Sequence, residues 1–485
     1  ASNNTAVGQS ALKSNTTGGS NIAVGANALD DNTTGSLCVA LGRHALSANT
    51  TANSNTALGH NTLMANTTGS ENVAVGTSTL ITNSTGASNT AVGANALDAN
   101  TTASNNTAVG FNSLGAVTTG QRNTAVGSYA LDSVTTGENN VAIGHNAGAD
   151  YTSGGQSTFI GRATGGTGGS GITAIGYFAC TNTTADNTLG IGYQALKENT
   201  SGGDNLAIGN NALDANTTGS NNTAVGRSAL GANTTSGSNT AIGARSLEAN
   251  TTGTDNTSVG KDSMKSNTTG SSNAAFGQNS LYNNTTSDNN TAIGDTALFA
   301  NTTGTHNTAL GADAGDAITT GDQNTIIGSS ADVDSATRTG ACALGFNVST
   351  HSADTSFRVV GVGGVYNTGN TSSWNTTSDR RIKKNIVDSK IGLAEINQIK
   401  VRNFEYRIAS EITDSALQRF DLEQLTVAKS GIQVGCIAQE LETIIPSAVI
   451  EDKRGIKNVQ PDELTWHLIK AVQELSAKVT ALEAG

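Results

Sequence analysis

From its first residues the chain repeats one short pattern of apolar and polar positions. A glycine preceded by Val, Ile, Leu or Phe recurs at Gly8, Gly25, Gly42, Gly59 and onward to Gly161, each seventeen residues after the last. Two shortened steps lead to Gly176 and Gly192, and the spacing of seventeen then runs unbroken to Gly345, for twenty-one repeats. The position two before the glycine is usually Ala, and the fourth residue after it is typically Leu, as at Leu12, Leu29 and Leu213. A polar "NTTG" closes many units, as at Asn15–Gly18. Each unit therefore predicts a short extended piece, a glycine bend, a second short apolar piece and a polar turn. Helical repeats of 33–47 residues do not fit this period.

One unit has too few apolar side chains to bury a core alone. Stacked units do, and the pattern predicts internal apolar ladders with backbone groups paired to the coils above and below. Asn and Thr at identical phases are expected as polar ladders on the outside or at turns. The expected fold is mainly β, a parallel β-solenoid of seventeen-residue repeats over residues 1–350. At roughly 4.8 Å per stacked strand it would extend about 100 Å. The short steps around 161–192, with "GGTGGSG" at 165–171, read better as a tolerated irregularity than as a binding protrusion.

After Gly345 the pattern stops. Residues 351–377 form a connecting segment in which "FRVVGVGGVY" predicts a strand and turn. Residues 378–485 read as a small α/β domain. "KIGLAEINQIKVRNFEYR" predicts a short helix then a strand, and "GIQVGCIAQELETIIP" a strand then a helix stopped by Pro446. A final helix is expected over 462–483. In it Val472 and Val479 alternate with Leu468, Leu475 and Leu482, as at coiled-coil a and d positions. Two heptads look the same in a plain amphipathic helix, and Val at a with Leu at d favours dimers, so this segment alone does not establish a trimer.

Composition changes the picture in one respect. The chain carries 58 Gly, 2 Pro and a net charge of −12, and an acidic balance excludes the basic footprint that nucleic acid requires. Residues 1–350 hold ten Lys or Arg against twenty-one Asp or Glu, whereas residues 351–485 hold sixteen against seventeen. The four cysteines lack metal-type spacing and predict free thiols. The six histidines do not cluster with carboxylates or cysteines, so neither metal nor cofactor is expected. Acidic residues five after the glycine (Asp30, Asp98, Asp132, Asp214, Glu248) alternate with Lys13 and Lys197 at the same phase. That points to a solvated edge and not to a glycosidase pair. No run of eighteen apolar residues is present, so no membrane insertion is expected. Ala1 starts inside a repeat, which suggests that the natural polypeptide continues upstream.

The repeat resembles the "S-V-A-I-G" units of trimeric autotransporter adhesin heads, although those are shorter, near fourteen residues. The resemblance implies a trimeric β-roll, whereas the period alone implies only a solenoid. The C-terminal residues resemble the S74 peptidase-type intramolecular chaperone domain that ends many phage tail spikes and fibres, including the endosialidases. The matching pieces are "SDRRIK" at 378–383, "GLAEINQIKVRNFEYR" at 392–407, "GCIAQELETIIP" at 435–446 and "LIKAVQEL" at 468–475.

That resemblance implies self-cleavage between Thr377 and Ser378, with Ser378 as nucleophile and Lys383 as its general base. Asp379 and Arg381 match motif positions. A lysine serves as base when desolvation or neighbouring cations lower its pKa, and Arg380, Arg381 and Lys384 supply cations here. On charge pattern alone the stretch would be a solvated boundary; the surrounding match favours cleavage. A register slip of one whole repeat between chains preserves nearly every contact, so a C-terminal domain that trimerises first would set the alignment. The expected protein is the distal part of a viral, most simply phage, tail fibre or spike, a homotrimer assembled in the host cytoplasm and carried on the virion. Its expected partners are upstream tail components and a host cell-surface receptor such as a glycan. No activity is expected of the shaft. A polysaccharide-degrading tail spike and a cellular trimeric surface adhesin are the alternatives.

Overall fold

The computed structural model describes residues 2–350, 387–413, 431–452 and 455–484, together with the backbone of 357–359. These fall into two compact units, one holding the repeats and one holding the segments from Val387 onward.

The repeats wind into a parallel β-solenoid. Each coil contributes one three-residue strand, from β1 (Thr5–Val7) and β2 (Ile22–Val24) through β12 (Leu189–Ile191) and β20 (Thr325–Ile327) to β21 (Cys342–Leu344). Strands pair in parallel and in phase: Thr5, Ala6 and Val7 face Ile22, Ala23 and Val24, and Thr308 to Leu310 face Thr325 to Ile327. The ruler glycine that follows each strand has φ near +135°, as at Gly25 and Gly76. A Cβ on Gly76 would lie 2.7 Å from the carbonyl carbon and oxygen of Gly93 in the next coil. Conformation and crowding therefore both demand glycine there.

Strand alternation decides which side chains are inside, and it corrects one expectation. In β2 to β21 the middle residue is buried and its two neighbours are not. Ala23, Ala40 and Ala57 are fully buried, while the Val, Ile or Leu directly before the glycine faces out. Ala is the usual inward residue because a buried Leu shares the narrow coil, and side chains of a strand alternate between faces. The interior is completed by the Leu four after the glycine, fully buried at Leu29, Leu46, Leu63 and beyond. These leucines sit at φ near +52°, a left-handed conformation costing about 1–2 kcal/mol. Burying each one returns about 1.5–3 kcal/mol, so burial outweighs the strain.

A second correction concerns asparagine. The Asn expected on the outside or at turns does sit at turns, but its side chain points inward and lines the core as two ladders. Along one, Asn32 Nδ2 donates to Asn15 Oδ1 at 2.8 Å and to the Gly35 carbonyl at 2.9 Å, and Asn49 repeats this onto Asn32. Along the other, the Asn72 backbone N–H donates to Asn55 Oδ1 at 2.9 Å while its own amide reaches the Gly86 carbonyl. A buried amide left unpaired costs about 1–3 kcal/mol. At coil corners, where the strand ladder ends, these side chains serve the backbone groups and each other.

The short coils keep the strand register, with Thr158–Ile160 paired to Thr173–Ile175 and these to Leu189–Ile191. Interior volume is conserved by exchange. Phe159 replaces an inward Ala, and glycines replace the leucines beside it: a Cβ on Gly165 or Gly148 would meet the Phe159 ring at 2.5 and 2.7 Å. Tyr151 occupies an Asn-ladder phase, packs edge-on against Phe159 at 5.0 Å, and donates its hydroxyl to the Gly169 carbonyl. Cys180 takes a Leu position and lies against Gly190, which takes an Ala position. Burial pushes the Cys180 thiol up to about 12, so this cysteine is a core filler and not a nucleophile.

Near the end of the repeats Asp332 accepts from the backbone N–H groups of Val333 and Ala317. Its pKa rises from 3.8 to about 7, chiefly through burial and then through the Asp316 carboxyl beside it. A raised folded-state value means the fold prefers the protonated acid, so the contribution of Asp332 to stability is full below pH about 4 and is lost as pH rises through about 7. An Asp332→Asn chain should therefore gain thermal stability at pH 8 relative to the parent, and little at pH 4. Melting curves across that range check it; equal gains at both pH values would contradict it.

The C-terminal unit is small. Helix α1 (Leu393–Ile396) precedes β23 (Arg402–Phe404), which pairs antiparallel with β24 (Gln433–Gly435); β22 is the three-residue strand Phe357–Val359. Helix α2 (Ala438–Glu442) leads to a hairpin of β25 (Val449–Glu451) and β26 (Lys457–Val459), and α3 (Pro461–Glu483) closes the chain. The hairpin was not foreseen from the sequence. Leu441, Ile445 and Ala448 form the core, with Ile391, Ile396, Ile399 and Leu464 around them.

Candidate functional site

The cleavage residues expected from the sequence, Thr377, Ser378, Asp379, Arg381 and Lys383, lie outside the described residues. What is described is the module that follows them and the surfaces left exposed.

Two contacts fix the module's first helix on its last. The Leu393 N–H donates to Glu474 Oε2 at 2.9 Å. A Cβ on Gly392 would lie 2.5 Å from the same carboxylate, so the absent side chain makes room for it. Glu395 reaches back to the Gly392 N–H at 2.9 Å, which caps α1 and holds its carboxyl below the usual range. On the other side, Arg402 pairs with Glu440 at 2.8 Å and links β23 to α2.

Helix α3 buries only Ala471. Leu468, Val472, Leu475, Val479 and Leu482, the residues whose spacing suggested a coiled coil, are all exposed, Leu482 by 81%. Among the described residues of one chain nothing covers this apolar stripe.

The solenoid carries a longer stripe of the same kind. The residue before each ruler glycine forms an external aliphatic row that includes Leu41, Leu58, Val92, Val109, Val126, Ile143, Ile242 and Leu310, each exposed by 36–45%. Isolated exposed aliphatic residues are ordinary, but a continuous row marks an interaction face. The sequence contained the signal: with Ala inward at period two, its larger neighbours must point outward.

The acidic edge is less solvated than the sequence suggested. Asp98, Asp132 and Asp214 are half-buried. Burial pushes their carboxyl pKa values up, and in Asp132 the charge of Asp98 adds to it. Among the described residues no group of three or more His, Cys, Asp or Glu could hold a metal ion, and no helix is long and apolar enough to cross a membrane.

Residues 378–450 match the family model described as Peptidase_S74, chaperone of endosialidase. The match begins at Ser378 and ends in β25, so α3 lies beyond it. No curated protein matches the chain. The chain thus joins a β-solenoid of about twenty turns to an S74-type chaperone segment, a combination that fits a trimeric fibre- or spike-like protein.

Proposed function

We propose that this chain is a homotrimeric fibre or spike protein of a virus, used for attachment to a host surface, whose C-terminal module aligns three chains and then cuts itself free. The observation that carries the reading is the external aliphatic row, which runs along the solenoid and needs a like surface to cover it. A second copy offers the same row at the same rise, and three-fold closure buries all copies equally. The exposed stripe of α3 supports assembly at the C-terminal end.

Cleavage follows from the motif at the start of the family match. Ser378 Oγ attacks the carbonyl carbon of Thr377 while Lys383 accepts the hydroxyl proton. The C–N bond breaks, the proton passes to the Ser378 nitrogen, and an ester remains between Thr377 and Ser378 Oγ. Water hydrolyses that ester to a Thr377 carboxylate and a free Ser378 hydroxyl. Release of the module makes the assembled state kinetically trapped, because the aligning element is gone.

The test is the mass of the expressed chain, native and denatured. Sedimentation should give three copies, and intact-mass analysis should give fragments 1–377 and 378–485. A monomer at micromolar concentration would overturn the assembly, and an uncut chain would overturn the processing.

A further inference from the structure

The solenoid has a second exposed row, and its chemistry differs from the aliphatic one. It occupies the two positions after each ruler glycine. Over six consecutive coils these positions present Phe111, Tyr129, His145, Arg162, Tyr177 and Tyr193. Phe111 and Tyr129 meet edge-on at 5.3 Å, and Tyr129 meets His145 at 6.4 Å. The Arg162 guanidinium carbon stands 5.4 Å from the Tyr177 ring centre, and Tyr177 stacks on Tyr193 at 5.7 Å and 18°. In the other coils up to Ser330 the same two positions contain no Phe, Tyr or Trp. The tract spans the two shortened coils.

Its support is rigid. The Tyr129 N–H donates to the Phe111 carbonyl at 2.9 Å, and the Gln194 N–H to the Tyr177 carbonyl at 2.9 Å, so the edge is itself a backbone ladder. Between the rings stand short polar side chains, Asn112, Ser128, Asn146 and Gln194. Rings alternating with amides and hydroxyls suit a ligand that has both apolar C–H faces and many hydroxyls. Pyranose rings have this combination, and aromatic faces held without loss of rotamer freedom bind them at low entropic cost. Charge narrows the class. The chain is acidic, yet these positions from Phe111 to Gln194 hold no Asp or Glu, whereas Asp262, Asp295 and Asp313 occupy them further along. Among the described residues Arg162 forms no ion pair.

We infer that the aromatic edge between Phe111 and Tyr193 is a carbohydrate-binding site that takes an acidic polysaccharide, with a sugar ring on Tyr193, which is exposed and has Tyr177 stacked on one side only, and a carboxylate at Arg162. This rests on the attachment reading and locates the face that performs it.

Affinity electrophoresis of the intact protein in gels containing alginate, hyaluronan or dextran tests the site. Retardation is expected with the uronic-acid polymers and not with neutral dextran. A Tyr177→Ser/Tyr193→Ser chain should bind about tenfold more weakly. A Tyr282→Ser/Phe299→Ser chain, which loses a similarly stacked pair at 5.3 Å on another edge, should bind like the parent. Unchanged mobility in all three gels, or retardation retained by the Tyr177/Tyr193 variant, overturns the inference. Oligomeric mass and cleavage, read on the same samples, report separately on the proposed function.

Discussion

A Ser378→Ala chain is expected to remain a single 485-residue species on a denaturing gel, where the parent is expected to separate into two. Without the hydroxyl no ester forms with Thr377, and loss of the nucleophile in such a unit costs on the order of 10⁴-fold or more in rate. Lys383→Arg should be equally inactive although it keeps the positive charge, because a guanidinium does not give up its proton in proteins. That pair of variants separates base catalysis from simple electrostatics. Neither change touches the solenoid, so the uncut chains should still sediment as trimers. A Ser378→Ala chain that yields the shorter species would refute the assignment.

The second large effect concerns the aliphatic row. A chain carrying Val92→Asp, Val109→Asp and Val126→Asp should fold its coils and fail to associate. These side chains already face outward, so a lone chain accommodates the carboxylates in water. A trimer would have to bury them unpaired, at several kcal/mol each. The association constant should fall by more than about 10³-fold. The contrasting variant is Ala108→Asp, one residue inward and fully buried, which should disrupt the coil itself. Sedimentation with circular dichroism distinguishes the two. A triple variant that still forms trimers would place the interface elsewhere.

The contrast between Ala108 and Val109 also marks where sequence reading succeeded and where it failed. The period, the glycine bends and the parallel stack were legible because one phase demands φ near +135° and recurs in every coil. The same reading placed the apolar residues in internal ladders without separating Ala from the larger residue beside it. Strand alternation separates them: Ala is the usual residue behind the strand, and the buried Leu fills the remaining space. Asparagine was expected outside or at turns, and its inward direction at the turns was missed. Its recurrence at two phases through most coils, against the variable residues of the acidic edge, was a readable sign of a specific bonding role. In the C-terminal unit, α1, β23, β24, α2 and α3 follow the expected segments. The β25–β26 hairpin was missed because its strands are only three residues long and flank the charged run "EDKR", which reads as a solvated loop. The aromatic edge was invisible as such, since its members belong to six coils and meet only when the chain is wound.

The asparagine ladders have a consequence for how such a molecule changes over time. Every amide on them bonds within its own coil or to the next one along, and to nothing further away. Removing or duplicating seventeen residues in a regular region would rejoin identical donors and acceptors, leaving no orphaned group at the seam. Reach is therefore a counted quantity, altered in whole steps of about 4.8 Å by recombination between near-identical stretches of gene. The coils around Phe159 are exempt, because their exchanged volumes fit only each other. A lineage can lengthen or shorten its stalk freely on either side of that segment while carrying it intact.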